Sequence, residues 1–366
     1  MPILYRACGR LSIRPRCAGS SGRIRLPQKR QTMQLHLDSF GAALSVQNGL
    51  FRVRTRAGTE QALAVRDVQA ILLTRGVSLS TDALALALAN DIPVILLDDA
   101  GHPAGHFWSG QYGSIGAIRK RQALWCGHPQ GLQWACGVLA RKTANQRALL
   151  QALARAQPDN RDLERSLGKG LPAINFIAAQ LRDWVYREPE GHKAALDTLR
   201  GWEGVAARHY WRAVSTALPG RWRFAERSTH PARDAFNALL NYGYGVLYAQ
   251  VEVALLKAGL DPSMGVLHAD QHRRPTLVFD CIEAYRVWVD EVAVALAQSG
   301  VLTENAFRTF DDGSVWLEAP AKSPLLDALL AALERPPSGD GRQVMRRTLI
   351  DLDAQKLASS LKRFRP

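Results

Sequence analysis

Cysteine is scarce and unpatterned in this 366-residue chain. There are five (Cys8, Cys17, Cys126, Cys136 and Cys281), an odd number with no two spaced as CxxC. That argues against a disulfide framework or a cysteine zinc site and fits a reducing cytoplasm, with Cys281 reading as a small buried hydrophobe on a helix. Long apolar runs are absent too. The longest, residues 83–89 and 92–97, fall well short of the ~20 residues a spanning helix needs, so no membrane association is expected. Acidic residues are missing from residues 1–32, which hold eight basic ones and no continuous apolar segment. A secretory signal is thereby excluded, although Arg-rich, acid-free character resembles an organellar transit peptide. The favoured reading of 1–32 is a non-structural extension. It is either a disordered basic arm or a stretch upstream of a true start at Met33, which directly precedes the strand-like residues 34–38.

What is present is apolar enough to fold. Hydrophobic residues make up 47% and charged residues 22% of the chain, which excludes general disorder. Single cores rarely grow past roughly 250–300 residues, so two domains are expected. The formal net charge of +14 suggests a polyanion partner, usually nucleic acid. Its distribution tempers that inference. Residues 1–32 contribute eight, residues 337–366 hold seven basic against three acidic residues, and the 304 residues between are left with an excess of two. The case for nucleic acid therefore rests on local clusters such as Arg119-Lys120-Arg121, Arg141-Lys142 and Arg147.

Residues 33–112 read as a small β-rich domain carrying one helix. Asn48-Gly49, between strand-sized runs at 43–46 and 50–55, marks a type I′ turn because both residues tolerate positive φ. Further runs at 62–65, 68–73, 92–97 and 105–108 read as strands, and Ser80 caps a predicted helix over 81–90. From about residue 113 the period becomes helical. Stretches at 115–125, 132–155, 171–186, 204–217, 233–258 and 277–298 are separated by prolines, which cannot donate into a helix interior. A late hairpin around Asp311-Asp312-Gly313 and a Ser323-capped helix complete a domain over 113–336. Residues 337–366 read as a basic tail with one amphipathic stretch at 349–361. The expected fold class is α+β, a small N-terminal β-rich domain followed by a larger all-α domain.

Three places concentrate chemistry-bearing side chains. Glu203 sits among aromatic and small residues where a helix is predicted to begin, and His268 follows the Gly-led apolar bend Met264-Gly265-Val266-Leu267. Asp280 and Glu283 are three apart on a predicted helix among apolar neighbours, hence on one face. Carboxylates entering a core need a proton, a cation or a basic partner. The residues alone leave two answers open. One is salt bridging, with Arg286 three residues after Glu283; the other is a hard divalent ion, Mg²⁺ or Mn²⁺. A lone His268 is equally consistent with a hydrogen-bonded core histidine.

Taken in order, these segments resemble the family of CRISPR-associated endonuclease/integrases that catalyse spacer acquisition. The resemblance runs from Met33 to about residue 335. It is carried by Leu37-Asp38-Ser39-Phe40-Gly41 and Asn48-Gly49, by residues 71–79 leading into 81–90, and by the helix start at 234–244. Gly259-Leu260-Asp261-Pro262, Gly265, Leu267-His268 and Asp280-x-x-Glu283-x-x-Arg286 complete it. No single piece is specific, but the series is. The resemblance implies that Glu203, His268 and Glu283 are ligands of Mg²⁺ or Mn²⁺, with Asp280 beside them in the site. It implies double-stranded DNA as substrate, namely a foreign fragment and a CRISPR repeat. It further implies a homodimer formed through the β-rich domain and a small ferredoxin-like adaptation partner. Asn237, Tyr242 and the basic residues Arg119, Lys120, Arg121, Arg141 and Lys142 become candidate DNA contacts, although Asn237 and the tyrosines, Tyr244 included, also suit plain packing roles. The charged run after His268, with His272 close enough to be confused with it, and the extension 1–32 depart from the family pattern. A transposon-encoded integrase of the same family and a catalytically silent DNA-binding scaffold are the rival readings.

Overall fold

The computed structural model describes residues 33–98, 103–107, 115–184, 191–229, 231–268, 274–337 and 344–366. The basic extension 1–32, Trp108 and His272 lie outside the described residues. The chain divides into two compact units, residues 1–111 and 112–366.

The first unit contains two four-stranded sheets. Strands β1 (Met33–Leu37), β2 (Ala43–Gln47), β3 (Leu50–Arg54), β4 (Glu60–Ala64), β5 (Val68–Leu73) and β6 (Ser78–Leu79) precede helix α1 (Thr81–Ala89), and β7 (Val94–Leu97) and β8 (Pro103–Phe107) follow it. One sheet has the order β4-β3-β2-β6 and the other β1-β5-β7-β8. The β2–β3 hairpin closes at Asn48 and Gly49, whose φ values of 52° and 73° are the left-handed pair a type I′ turn requires. Ser80 Oγ accepts the Ala83 N–H at 3.1 Å and caps α1. The parallel strands β1, β5 and β7 carry the apolar runs, and Leu35, Ile71 and Val94 lie in the unit's core.

The second unit is helical: α2 (Ile115–Cys126), α3 (Pro129–Ala156), α4 (Arg161–Trp184), α5 (His192–Ala217), α6 (Ala235–Lys257), α7 (Thr276–Ile282) and α8 (Arg286–Ser299). A small hairpin of β9 (Phe307–Thr309) and β10 (Val315–Leu317) precedes α9 (Ala319–Leu333) and α10 (Arg346–Arg363). Three differences from the sequence reading matter. First, α4 and α5 begin 10 and 12 residues before the predicted starts at 171 and 204, so Glu203 stands within a 26-residue helix instead of at its beginning. Second, the stretch expected as one helix over 277–298 is broken at 283–285, between α7 and α8. The Asn145 side chain of α3 donates to the carbonyl of Ala284 at 2.9 Å, satisfying a group that the break frees. Third, residues 346–363 are no tail. They form α10, which packs on α2, α6 and α9 and buries Leu349, Ile350, Leu357 and Leu361, with Phe364 just beyond.

Burial of five such side chains is worth on the order of 10 kcal/mol at about 1.5–3 kcal/mol each. That approaches the whole stability of a domain, roughly 5–15 kcal/mol. Truncation after Pro336 is therefore expected to abolish soluble, cooperatively melting protein, as read by soluble yield and a thermal melt. A truncated chain melting within a few degrees of the full chain would show that α10 is dispensable.

Candidate active site

Helix α3 runs past α4, α5, α7 and α8 and so lies between the elements that bear the acidic residues. Its Lys142 is the hub. The ammonium Nζ is 2.5 Å from Glu203 Oε1 of α5 and 2.5 Å from Glu283 Oε2 at the end of α7. Arg286 Nε donates to the other oxygen of Glu283 at 2.9 Å. The Lys142 side chain is 10% exposed and that of Glu283 5%, whereas Glu203 keeps 32% of its surface open to solvent. Burial opposes the charge of Lys142, but Glu283 and Glu203 outweigh both burial and the nearby Arg286 and hold its pKa above the ordinary lysine value. Burial likewise opposes the charge on Glu283, yet Arg286 and Lys142 hold its carboxyl down at about 2.

Asp280 does something different. It is 1% exposed and saturated with donors. Its Oδ2 accepts the backbone N–H groups of Val266 at 2.5 Å and Leu267 at 3.0 Å, and its Oδ1 accepts that of His268 at 3.0 Å. The same Oδ1 lies 2.7 Å from His268 Nδ1. A carboxylate only accepts, so Nδ1 carries the hydrogen, and in the neutral ring Nε2 keeps its lone pair. One buried side chain thus folds the bend before His268 and sets the histidine's tautomer.

Other elements secure the same bend. Thr276 Oγ1 accepts the Gly265 N–H at 2.9 Å and donates to the Ser263 carbonyl at 2.6 Å. Gln122 of α2 donates to the carbonyls of Asp261 and Met264, and Arg200 of α5 forks onto the Leu267 carbonyl at 2.7 and 3.1 Å. Gly265 is required by space. A Cβ there would lie 2.6 Å from the Thr276 carbonyl carbon and 2.8 Å from Asp280 Oδ2. Gly265→Ala is accordingly expected to destabilise the fold by roughly 1–3 kcal/mol as α7 and the bend move apart. Urea unfolding reads this, and an unchanged midpoint would count against so tight a packing.

The structure brings Glu203 and Glu283 to one cation and His268 to Asp280. Among the described residues, no three of His, Cys, Asp and Glu converge on a point that could hold an ion. The donor set nevertheless suits a hard divalent ion. Two carboxylate oxygens already share a positive charge, and Glu283 Oε2 is buried with no hydrogen bond of its own beyond that ion pair.

The candidate DNA contacts fare unevenly. Lys142 belongs to the carboxylate site instead of a phosphate-binding face, because a lysine buried against two carboxylates is not available to a backbone phosphate. Asn237 is fully buried, and its amide is consumed by Glu226, Asp234, Arg227 and Ser228. Arg141 is tied to Asp353 of α10 at 2.7 Å and lies over the Tyr285 ring, and Arg121 donates to the Lys362 carbonyl. Tyr242 is half-buried with Lys322 near its ring, and Arg119 is half-buried. Lys120 remains exposed. Tyr244 is a core residue whose hydroxyl donates to Asp290 at 2.5 Å.

The model of the family described as CRISPR associated protein Cas1 matches residues 35–330. The chain belongs to the Cas1 family. It is 32% identical over 339 residues to CRISPR-associated endonuclease Cas1 1 of Archaeoglobus fulgidus, covering 90% of this chain and 96% of that protein. A second Cas1 endonuclease, from Pyrobaculum aerophilum, is 33% identical and covers 75% of this chain and 88% of its own. Two solved structures share the fold. A casposase bound to integration product matches with a TM-score of 0.75 at 21% identity, covering 90% of this chain and 91% of that one. A Cas1 protein from Thermotoga maritima matches with a TM-score of 0.70 at 21% identity, covering 89% and 96%. The α+β organisation expected from the sequence is that of these Cas1-fold proteins. Among the described residues, no helix is long and apolar enough to cross a membrane.

Proposed function

We propose that this Cas1-family chain is a metal-dependent DNA endonuclease and integrase that inserts short foreign DNA fragments into a CRISPR array. The observation that carries the reading is the pairing of Glu203 and Glu283, from separate helices, around one cation beside a histidine whose tautomer Asp280 fixes. Glu203, Glu283 and His268 Nε2 would hold Mg²⁺ or Mn²⁺. Once bound, such an ion polarises a phosphoryl oxygen and lowers the pKa of an attacking hydroxyl or water. The chain's own residues prepare that chemistry. Arg286 keeps Glu283 ionised from the side away from Lys142, and Asp280 aims His268 while Arg200 and Gln122 hold its bend in place. With the 3′-hydroxyl of a fragment as nucleophile, one P–O bond forms as another breaks, so no nucleotide cofactor is needed. With water, the same site cuts DNA.

The exposed Leu96 of β7 and Phe107 of β8 support self-association through the first unit. A fold match at TM-score 0.74 to a Cas6-RT-Cas1–Cas2 complex, covering 36% of that chain, supports assembly with a Cas2-type partner, the small ferredoxin-like protein expected above. The place of action is the cytoplasm.

The test is a joining assay with a short duplex bearing 3′-hydroxyl ends and a supercoiled plasmid carrying leader and repeat, in Mn²⁺ or Mg²⁺. Wild type is expected to join, and Glu203→Ala or His268→Ala to lose at least about 100-fold. Joining that survives either change would remove the proposed site. DNA binding without joining or cutting under any condition would favour a scaffold.

A further inference from the structure

We propose that Lys142 is a resident counter-ion. Its ammonium occupies the cation position between Glu203 and Glu283 until a divalent metal displaces it. This deepens the metal-dependent reading above and rests on it. The geometry leaves one place for one cation. Nζ stands 2.5 Å from both carboxylate oxygens, so an ion bound to those oxygens and the ammonium exclude each other. Charge points the same way. The paired carboxylates carry two negative charges, met in this structure by Lys142 and Arg286. A divalent ion added with both cations in place would leave the pocket strongly positive before any phosphate arrives.

The two basic residues are not equivalent in their freedom to leave. Arg286 is held by Glu283 Oε1, by the Tyr248 hydroxyl at 2.9 Å and by the Tyr244 ring at 4.7 Å. Among the described residues, Lys142 is held by the two carboxylates alone, and a lysine is a point charge on a flexible stem. It is the cation that yields. Glu203 keeps an edge open to solvent, which gives an entering ion and a departing ammonium a shared route. In the metal-free state Lys142 prevents the repulsion of two bare carboxylates, so the site is assembled before metal arrives.

Two measurements on the full chain test this. Reductive methylation of wild-type protein with formaldehyde, followed by peptide mapping, is expected to label Lys142 slowly without metal. Saturating Mg²⁺ should raise that rate about tenfold, while exposed Lys169 on α4 serves as the unchanged control. Mn²⁺ titration by electron paramagnetic resonance is expected to show about tenfold tighter binding to Lys142→Met than to wild type and a large loss in Glu203→Gln. Mn²⁺ binding with Lys142 still protected would overturn the displacement and leave the metal site standing. Equal or weaker binding by Lys142→Met would do the same. No Mn²⁺ binding by wild type, with Glu203→Gln indistinguishable, would overturn both. If Lys142→Met does not fold, the labelling of wild type decides alone.

Discussion

Asp280→Ala is expected to destabilise the protein by about 3–5 kcal/mol, more than any other single truncation near the site. The residue accepts three backbone N–H groups and the His268 ring nitrogen while almost wholly buried. Its removal strands donors at Val266 and Leu267, which are themselves buried. Each stranded donor costs about 1–3 kcal/mol, because water cannot replace the lost oxygen. Asp280→Asn separates fold from chemistry. One amide oxygen can serve two of the four donors, but the amide nitrogen then faces N–H groups and the His268 tautomer is no longer imposed. Joining by this variant is expected to fall 10–100-fold at a temperature where it remains folded, the usual consequence of losing the group that orients a metal-ligating histidine. Urea unfolding checks the first expectation and the joining assay the second. A midpoint for Asp280→Ala within about 1 kcal/mol of wild type would show that the bend is held by Thr276, Gln122 and Arg200 without it.

The same residues show how much of the fold and site could be read in advance. The Asn48-Gly49 turn and the alternating or continuous apolar runs around it marked the β-rich unit because those signals are local. The starts of α4 and α5 were hidden by glycine. Gly168 and Gly170 weaken the helical pattern of 161–170, although Gly170 is buried inside α4 facing His209 of α5. Gly201 and Gly204 likewise made Glu203 look like a helix start. The acidic residues were found by spacing and by resemblance. Their partner Lys142 reads in the sequence as a candidate DNA contact, grouped with its neighbour Arg141. A signal was there: Lys142 falls three residues after buried Leu139 and four before buried Gln146, on the core stripe of α3. A lysine on such a stripe needs carboxylates, and only the tertiary fold could say which. The break after Ile282 is illegible for the same reason, since Asn145 of α3 stabilises it from elsewhere in the fold.

Glu283→Gln and Glu203→Gln are expected to affect catalysis alike and stability differently. Each removes a charged oxygen of the proposed metal pair, and joining should fall by about 10³-fold or more in both, at or below the assay floor. Glu203 is partly open to water, so its loss costs the fold little. Glu283 is buried with Lys142 and Arg286 on its two oxygens, and its neutralisation leaves buried Lys142 and half-buried Arg286 short of an anion. The pH dependence carries the sign. The carboxyl of Glu283 sits at about 2 when folded against 4.5 ordinarily, so its contribution is present above pH 4.5 and is lost as pH falls toward 2. That depression corresponds to on the order of 3 kcal/mol. Asp290 runs the other way. Burial lifts it to about 6 despite hydrogen bonds from Tyr210 and Tyr244, so its contribution is full below pH 3.8 and is lost as pH rises through 6. Denaturant unfolding from pH 2.5 to 7 should therefore show the Glu283→Gln curve approaching wild type at the acid end, with the gap widening up to about pH 4.5 and level above it. The Asp290→Asn curve should differ from wild type chiefly above pH 4, gaining on it as pH rises. A constant gap between Glu283→Gln and wild type over the whole range would mean that Glu283 is not the anion that Lys142 and Arg286 hold ionised.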